Sequence, residues 1–276
     1  MNPILSEEEM IAHALKEDIP QGDITTGSLQ KPTHMGTASL IAKQDLVISG
    51  STLFKKTVEA VDSRIQSQWK FQDGDSVLKG QTVCDLQGNL IELLKAERVA
   101  LNFLGPLSGI ATLTQKFVKA CEGTKTKILD TRKTRPLYRT LEKQAALHGG
   151  GHNHRMNLSD AVLIKENHIF VGEGLEKTVA AIQKASGLSI EVEVKNFQEI
   201  ERACKLPVQR LMFDNMTNDQ IERALKIVPE GIEVEASGNM TLERTPSVAA
   251  LGVDYISVGA LTHSAPNADF SLLFRW

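Results

Sequence analysis

The spacing of apolar positions changes character near Gly123. Before it, helical and strand-like runs are mixed. Ser6 and Glu9 stand at capping-box spacing, and Met10, Ile11, Ala14 and Leu15 recur with helical period. This predicts a helix ending near Asp18, ahead of Pro20. Thr37–Ala42 and Leu46–Ser49 read as short strands turned at Gln44-Asp45, and Ser51 opens an amphipathic helix to about Val61. Turn signals at Asp73-Gly74, Lys79-Gly80 and Gln87-Gly88 then predict short strands in a β-rich layer packed on that helix. From Ile91 to Cys121 the period is helical, and Gly105-Pro106 is expected to split the run into two helices.

After Gly123, strand-like and helical runs alternate. The strand-like runs are Thr126–Leu129, Ala161–Ile164, Leu188–Val194, Arg210–Phe213, Gly231–Ala236 and Asp254–Val258. Helices fit over Leu175–Ala185, Phe197–Lys205 and Asn218–Val228, with another starting at Thr245 as N-cap before Pro246. Such alternation with short connections means right-handed βαβ units and a parallel sheet. Six strands fall short of the eight of a closed barrel, so an incomplete α/β barrel is expected. In IEVEVKN, Ile190, Val192 and Val194 share one face, and Glu191, Glu193 and Lys195 the other. Glu233, Glu235 and Ser237 likewise oppose Ile232 and Val234. The apolar faces suit outer helices and the charged faces suit a polar barrel interior.

Composition narrows the class without naming a chemistry. The 276 residues are 41% hydrophobic and 24% charged, with a formal net charge of -3, which gives no support for nucleic-acid or membrane binding. Cys84, Cys121 and Cys204 are widely spaced, so neither a disulfide framework nor a zinc site is indicated, and a reducing compartment fits best. MNPILSEEEM has no cationic or apolar leader, which makes the cytoplasm the expected location. The DGDSVLKGQTV run resembles the hammerhead of biotinyl and lipoyl carriers, but its available tip, Leu86–Asn89, lacks the lysine that such a carrier modifies.

Charge is concentrated locally. Lys125 to His168 holds nine Lys/Arg against four Asp/Glu, with four of the seven His. In a near-neutral chain this density points to a small anionic ligand. The stretch reads as two adjacent strand ends joined by a long loop. In barrels of this kind the reactive groups lie at the C-terminal strand ends. Here those ends are Asp130-Thr131-Arg132-Lys133, Lys165, Glu193, Asp214, Ser237-Gly238-Asn239 and Gly259-Ala260. Arginine and lysine suit carboxylates and phosphates, acidic groups suit Mg²⁺ or sugar hydroxyls, and small residues offer backbone N–H groups to phosphate. Arg98, among Leu94, Val99 and Leu101, reads from spacing alone as a helix-surface residue.

Together DTRKTRP, NHR followed by LIKENHI, EVEV, FDNM, EASGN and GVDYISVGALTHS resemble quinolinate phosphoribosyltransferases, the carboxylating nicotinate-nucleotide pyrophosphorylases. LKEDIPQGDITT and ERVALNFLGPLSGIATLT extend the likeness over essentially the whole chain. The resemblance implies an N-terminal α/β sandwich, placed at 1–105 with 266–276 returning to it, and an incomplete parallel, TIM-like α/β barrel over 106–265. It implies transfer of phosphoribosyl from phosphoribosyl pyrophosphate to quinolinate with Mg²⁺, giving nicotinate mononucleotide, pyrophosphate and CO₂ for NAD biosynthesis. It also implies a homodimer, or a hexamer, with shared active sites.

By the same resemblance Arg132, His154 and Arg155 hold the quinolinate carboxylates, joined by Arg98 from a partner subunit, which reverses the reading from spacing. Lys133 and Lys165 lie near substrate and pyrophosphate, and Glu193 and Asp214 face the ribose hydroxyls and the metal. Ser237, Gly238, Asn239, Gly259 and Ala260 cradle the 5′-phosphate, with His263 nearby, Val258 also binds substrate, and Thr131 positions its loop. Two positions depart from the family pattern: Asn157 stands where glycine is usual, and Glu166 where aspartate is usual. A same-fold relative using another anionic acceptor, or a non-catalytic phosphoribosyl-ligand sensor, are the alternatives. The first is opposed by a complete two-carboxylate set, the second by retention of both Glu193 and Asp214.

Overall fold

The computed structural model describes residues 5–28 and 34–275. Residues 1–4, where the reading for targeting signals begins, and Trp276, the end of the returning segment, lie outside the described residues. The described chain divides into two compact units. The first comprises residues up to Gln115, Arg135–Gly150 and the chain from Ser264; the second comprises Lys116–Thr134 and Gly151–His263. Thus 135–150, which the sequence reading places in the barrel, packs in the first unit.

The first unit contains an antiparallel sheet in the order Phe270–Arg275, Met35–Ala42, Thr82–Asn89, Gln66–Trp69. Leu46–Val47 pairs instead with Ser76–Val77. The helix Glu7–Asp18 starts at the expected capping box, with the Glu9 N–H donating to Ser6 Oγ at 3.1 Å and the Ser6 N–H to Glu9 Oε2 at 2.8 Å.

Gly105-Pro106 does not end the long helix. Leu90–Lys119 is continuous through Pro106. The reason is burial on two sides: Ala96, Ala100 and Leu104 join one core with Phe54 and Leu86, while Val99, Phe103, Leu107 and Ile110 join another with Ile11 and Leu53. An internal proline costs about 3 kcal/mol, and each large buried side chain returns about 1.5–3 kcal/mol. The helix also serves the short strand beside it, since the Val47 N–H donates to Thr112 Oγ1 (2.8 Å) and the Ser49 N–H to Ser108 Oγ (3.0 Å).

The second unit is a six-stranded, wholly parallel sheet. Its spatial order is Lys127–Leu129, Tyr255–Ser257, Glu233–Ser237, Arg210–Asp214, Ile190–Val194, Val162–Ile164. All six strands fall within or beside the expected runs, and the fold is the incomplete barrel anticipated. Two local expectations fail. Lys127–Leu129 and Val162–Ile164 are the two edge strands rather than neighbours, and the connection between them holds a helix, Arg139–His148. The helix before the last strand begins at Thr245, but its cap is Arg244; Thr245 is buried, with its hydroxyl donating to Thr241 O at 2.7 Å. The polar interior is real: Glu191 is 7% exposed and Glu235 is 0% exposed. Among the described residues no helix is long and apolar enough to cross a membrane.

Candidate active site

Because the strands are parallel and in register, their C-terminal ends form one row. Asp214 pairs with Ser237, Ser237 with Ser257, and Ser257 with Leu129, the residue before Asp130. Across the sheet this gives a cationic turn, two turns of small residues, two acids and a lysine. These ends surround a pocket of about 590 Å³.

The turn after the first strand brings Thr131, Arg132 and Lys133 to the pocket. Thr131 Oγ1 accepts the Lys133 N–H at 3.1 Å, and the Thr262 hydroxyl donates to Lys133 O at 2.8 Å. Buried Asp130 ties in a second segment through its Oδ1, which accepts the His154 N–H at 2.9 Å. His154 and Arg155 thereby line the same pocket. The Arg155 guanidinium donates to Ala161 O at 3.1 Å. Burial pulls its pKa below the usual arginine range, reinforced by the neighbouring positive charge of Arg132.

His154 is oriented differently from a simple ligand-binding histidine. Its Nδ1 accepts the Arg155 N–H at 2.7 Å, so the neutral ring carries its proton on Nε2. Nε2 lies 3.2 Å from Glu191 Oε2 and 3.6 Å from Glu235 Oε2, and neither glutamate lines the pocket. Burial raises the Glu235 carboxyl well above the ordinary carboxylate range, and the nearby Glu191 charge adds to it.

Lys165 caps the helix Glu166–Val171 and is bonded to Glu193, whose side chain is 11% exposed. The neighbouring Glu166, the departure noted above, is bonded to Lys195, and this pairing lowers its pKa. Asp214 Oδ1 accepts from Asn215 Nδ2 at 2.9 Å, and Asn215 Oδ1 accepts from Asn239 Nδ2 at 3.0 Å. Asn215 and Asn239 are left-handed, with φ of 56° and 50°, as is Gly238 at 90°. The Arg244 guanidinium holds this turn by donating to Gly238 O (3.3 Å) and Met216 O. Ser237, Gly238 and Asn239, with Val258, Gly259, Ala260 and His263, complete the pocket.

Fifteen of the sixteen expected residues therefore surround one pocket, and Arg98 does not. Arg98 lines a pocket of about 390 Å³ in the first unit with Arg135, Asn102 and Asp269. Leu163, Met212, Asn215, Met240 and Ser257 line the main pocket without having been expected. Strand alternation was the available signal for Met212 and Ser257, which precede recognised strand ends by two positions or fewer. The basic stretch is divided: Arg132, Lys133, Arg155 and Lys165 reach the pocket, whereas Arg135 bonds Glu142 and Lys143 is fully buried in the other unit.

Comparison with known proteins identifies the family. Residues 23–108 match the quinolinate phosphoribosyl transferase N-terminal domain and residues 110–273 the C-terminal domain. A probable nicotinate-nucleotide pyrophosphorylase [carboxylating] of Bacillus subtilis is 37% identical, covering 97% of this chain and 93% of that protein. A protein of the same description from Synechocystis is 39% identical over 94% of this chain and 89% of its own length. The nicotinate-nucleotide pyrophosphorylase structure from Francisella tularensis superposes with a TM-score of 0.94 at 36% identity, covering 99% of this chain and 98% of that one.

Proposed function

The chain belongs to the quinolinate phosphoribosyltransferase family, and we propose that it transfers phosphoribosyl from phosphoribosyl pyrophosphate to quinolinate with loss of CO₂. The products are nicotinate mononucleotide and pyrophosphate, in de novo NAD biosynthesis. The observation that carries this reading is the order of chemistries around one pocket: arginines, then small-residue turns, then two acids and a lysine.

Arg132 and Arg155 bind the two pyridine carboxylates, a task suited to planar guanidinium groups. His154 forms the pocket wall beside them. The backbone N–H groups of Ser237–Asn239 and of Gly259 and Ala260 bind the 5′-phosphate, with His263 and Val258 alongside and Thr131 steadying the Lys133 turn. Glu193 and Asp214 face the ribose and favour the cationic, oxocarbenium-like sugar formed as the pyridine nitrogen attacks the anomeric carbon. Lys133 and Lys165 stabilise the negative charge of the departing pyrophosphate. The carboxylate next to the newly cationic ring nitrogen then leaves as CO₂, its bonding electrons held beside that positive charge until the ring carbon takes up a proton from water.

Glu193 and Asp214 also suit Mg²⁺. Two carboxylates at neighbouring strand ends, one paired to Lys165 and one to Asn215, are oxygen donors for a hard cation that takes its other ligands from phosphates and water. When bound, Mg²⁺ supplies charge neutralisation for the pyrophosphate. Arg98, which lines a pocket of the first unit with Arg135 and Asp269, acts from a partner subunit in a homodimer, as the family resemblance implies. A cytoplasmic location completes the proposal.

The test is direct. Protein mixed with quinolinate, phosphoribosyl pyrophosphate and Mg²⁺ should form nicotinate mononucleotide and CO₂ in equal amounts. No product, or equal turnover with nicotinate, refutes the assignment. Mixing Arg98→Ala with Lys133→Ala protein should restore part of the activity, and no recovery in mixed dimers excludes the partner role.

A further inference from the structure

Beneath the pocket lies a charged group that the reaction does not explain. Glu191 and Glu235 are 7% and 0% exposed, and Glu191 Oε1 and both Glu235 oxygens lack a hydrogen-bond donor. Buried carboxylates are costly unless compensated. Their compensation comes from above and below. His154 Nε2 sits 3.2 Å from Glu191 and 3.6 Å from Glu235, while Arg210 places a guanidinium nitrogen 3.6 Å from Glu235 Oε2. Arg210 is itself fixed, bonded to Glu233 at 2.8 Å and stacked 4.0 Å from the Tyr255 ring centroid.

One His and two Glu within 4.8 Å have the composition of a metal site. Two features argue against it. Nδ1 already accepts the Arg155 N–H, so in the neutral ring Nε2 carries the proton and has no lone pair to offer a cation. Arg210 also brings a fixed positive charge to the same Glu235 oxygen that a cation would need.

We propose that Glu191 and Glu235 are positioning residues for the pyridine side of the pocket: they hold His154 Nε2 beneath the floor. This inference rests on the function proposed above. His154 is the joint of its segment. Its N–H is held by Asp130, its Nδ1 holds the Arg155 N–H, and its Nε2 stands 3.2 Å from a Glu191 oxygen and 3.6 Å from a Glu235 oxygen. With Nδ1 on the Arg155 N–H and Nε2 facing two carboxylates, the ring cannot turn without giving up the Arg155 contact. The glutamates therefore set where the Arg155 guanidinium meets a substrate carboxylate, without touching substrate themselves.

The experiment compares Glu191→Gln with Glu191→Leu in the full-length protein, measuring kcat and KM for both substrates. Gln keeps an acceptor oxygen beside Nε2 and Leu does not. Leu should raise the KM for quinolinate about tenfold, the low end of what losing one partner of a buried charged contact costs. Gln should restore it to within about threefold, with the KM for phosphoribosyl pyrophosphate changing little in either variant. A KM for quinolinate within about twofold of the parent in Glu191→Leu overturns the proposal, and so does an equal rise for both substrates. Should Glu191→Leu fail to fold, Glu235→Met and Glu235→Gln repeat the comparison with a flexible side chain of similar volume. A parent protein that does not turn over quinolinate refutes the assigned reaction instead, so the two failures are distinct.

Discussion

Replacing Gly238 by alanine tests the phosphate side of the pocket with a single methyl group. Gly238 has φ of 90°, and a Cβ there would stand 2.2 Å from Asn215 Oδ1, 2.6 Å from its Cγ and 3.1 Å from its backbone nitrogen. The left-handed backbone costs an L-residue about 1–2 kcal/mol. Asn215 must also swing away, breaking the bond from Asn239 Nδ2 and its own bond to Asp214. These two exposed bonds add about 1 kcal/mol between them. The total is about 2–3 kcal/mol, and it must surface in one of two places. If the turn keeps its shape, the cost lowers stability, and Tm falls by about 4–12 °C. If the turn relaxes, stability is spared and the ligand must restore the shape, so kcat/KM with phosphoribosyl pyrophosphate falls about 30- to 160-fold. Calorimetry and steady-state kinetics on the same sample separate these cases. A variant with Tm within about 1 °C of the parent and kcat/KM within about twofold refutes the reasoning.

Further predictions concern other parts of the molecule. Arg132→Ala should lose about 2–4 kcal/mol of transition-state stabilisation; near-normal kcat/KM would exclude Arg132 from substrate binding. Gly109→Ala should destabilise the first unit, because its Cβ would lie 2.1 Å from Pro266 O and neither backbone can yield without strain. A urea midpoint equal to that of the parent would contradict this. Burial pushes the Cys84 thiol up to about 12 and Cys121 to about 11. Both remain protonated at pH 8, where a raised pKa means less thiolate, so a disulfide reagent should label them only after unfolding. Rapid labelling of all three cysteines in the native protein at pH 8 would show that this burial is wrong.

The alternation of Ile190, Val192 and Val194 against Glu191 and Glu193 was enough to define a strand with a polar inner face, because side-chain period is a local property. The same holds for the strand ends. Once the strands are parallel, Lys165, Glu193, Asp214 and Ser237 all fall at the same end of the sheet, and the observed register lines them up on one rim. Period alone misjudged elements whose fate depends on distant partners. Pro106 marks a helix end by local energetics, but the helix survives because two cores pack on its opposite sides. Arg139–His148 was hidden in a basic stretch, and only packing takes Glu142 and Lys143 fully out of solvent there.

Tertiary structure alone decided what lies under the pocket. Glu191 and Glu235 belong to strands separated by a third, and nothing in either segment announces that their carboxylates meet beneath one histidine. The amino-acid sequence determined which groups stand on which face, since that follows from backbone geometry residue by residue. Which groups face each other across the barrel depends on register and closure, and these are set by the summed packing of the whole sheet.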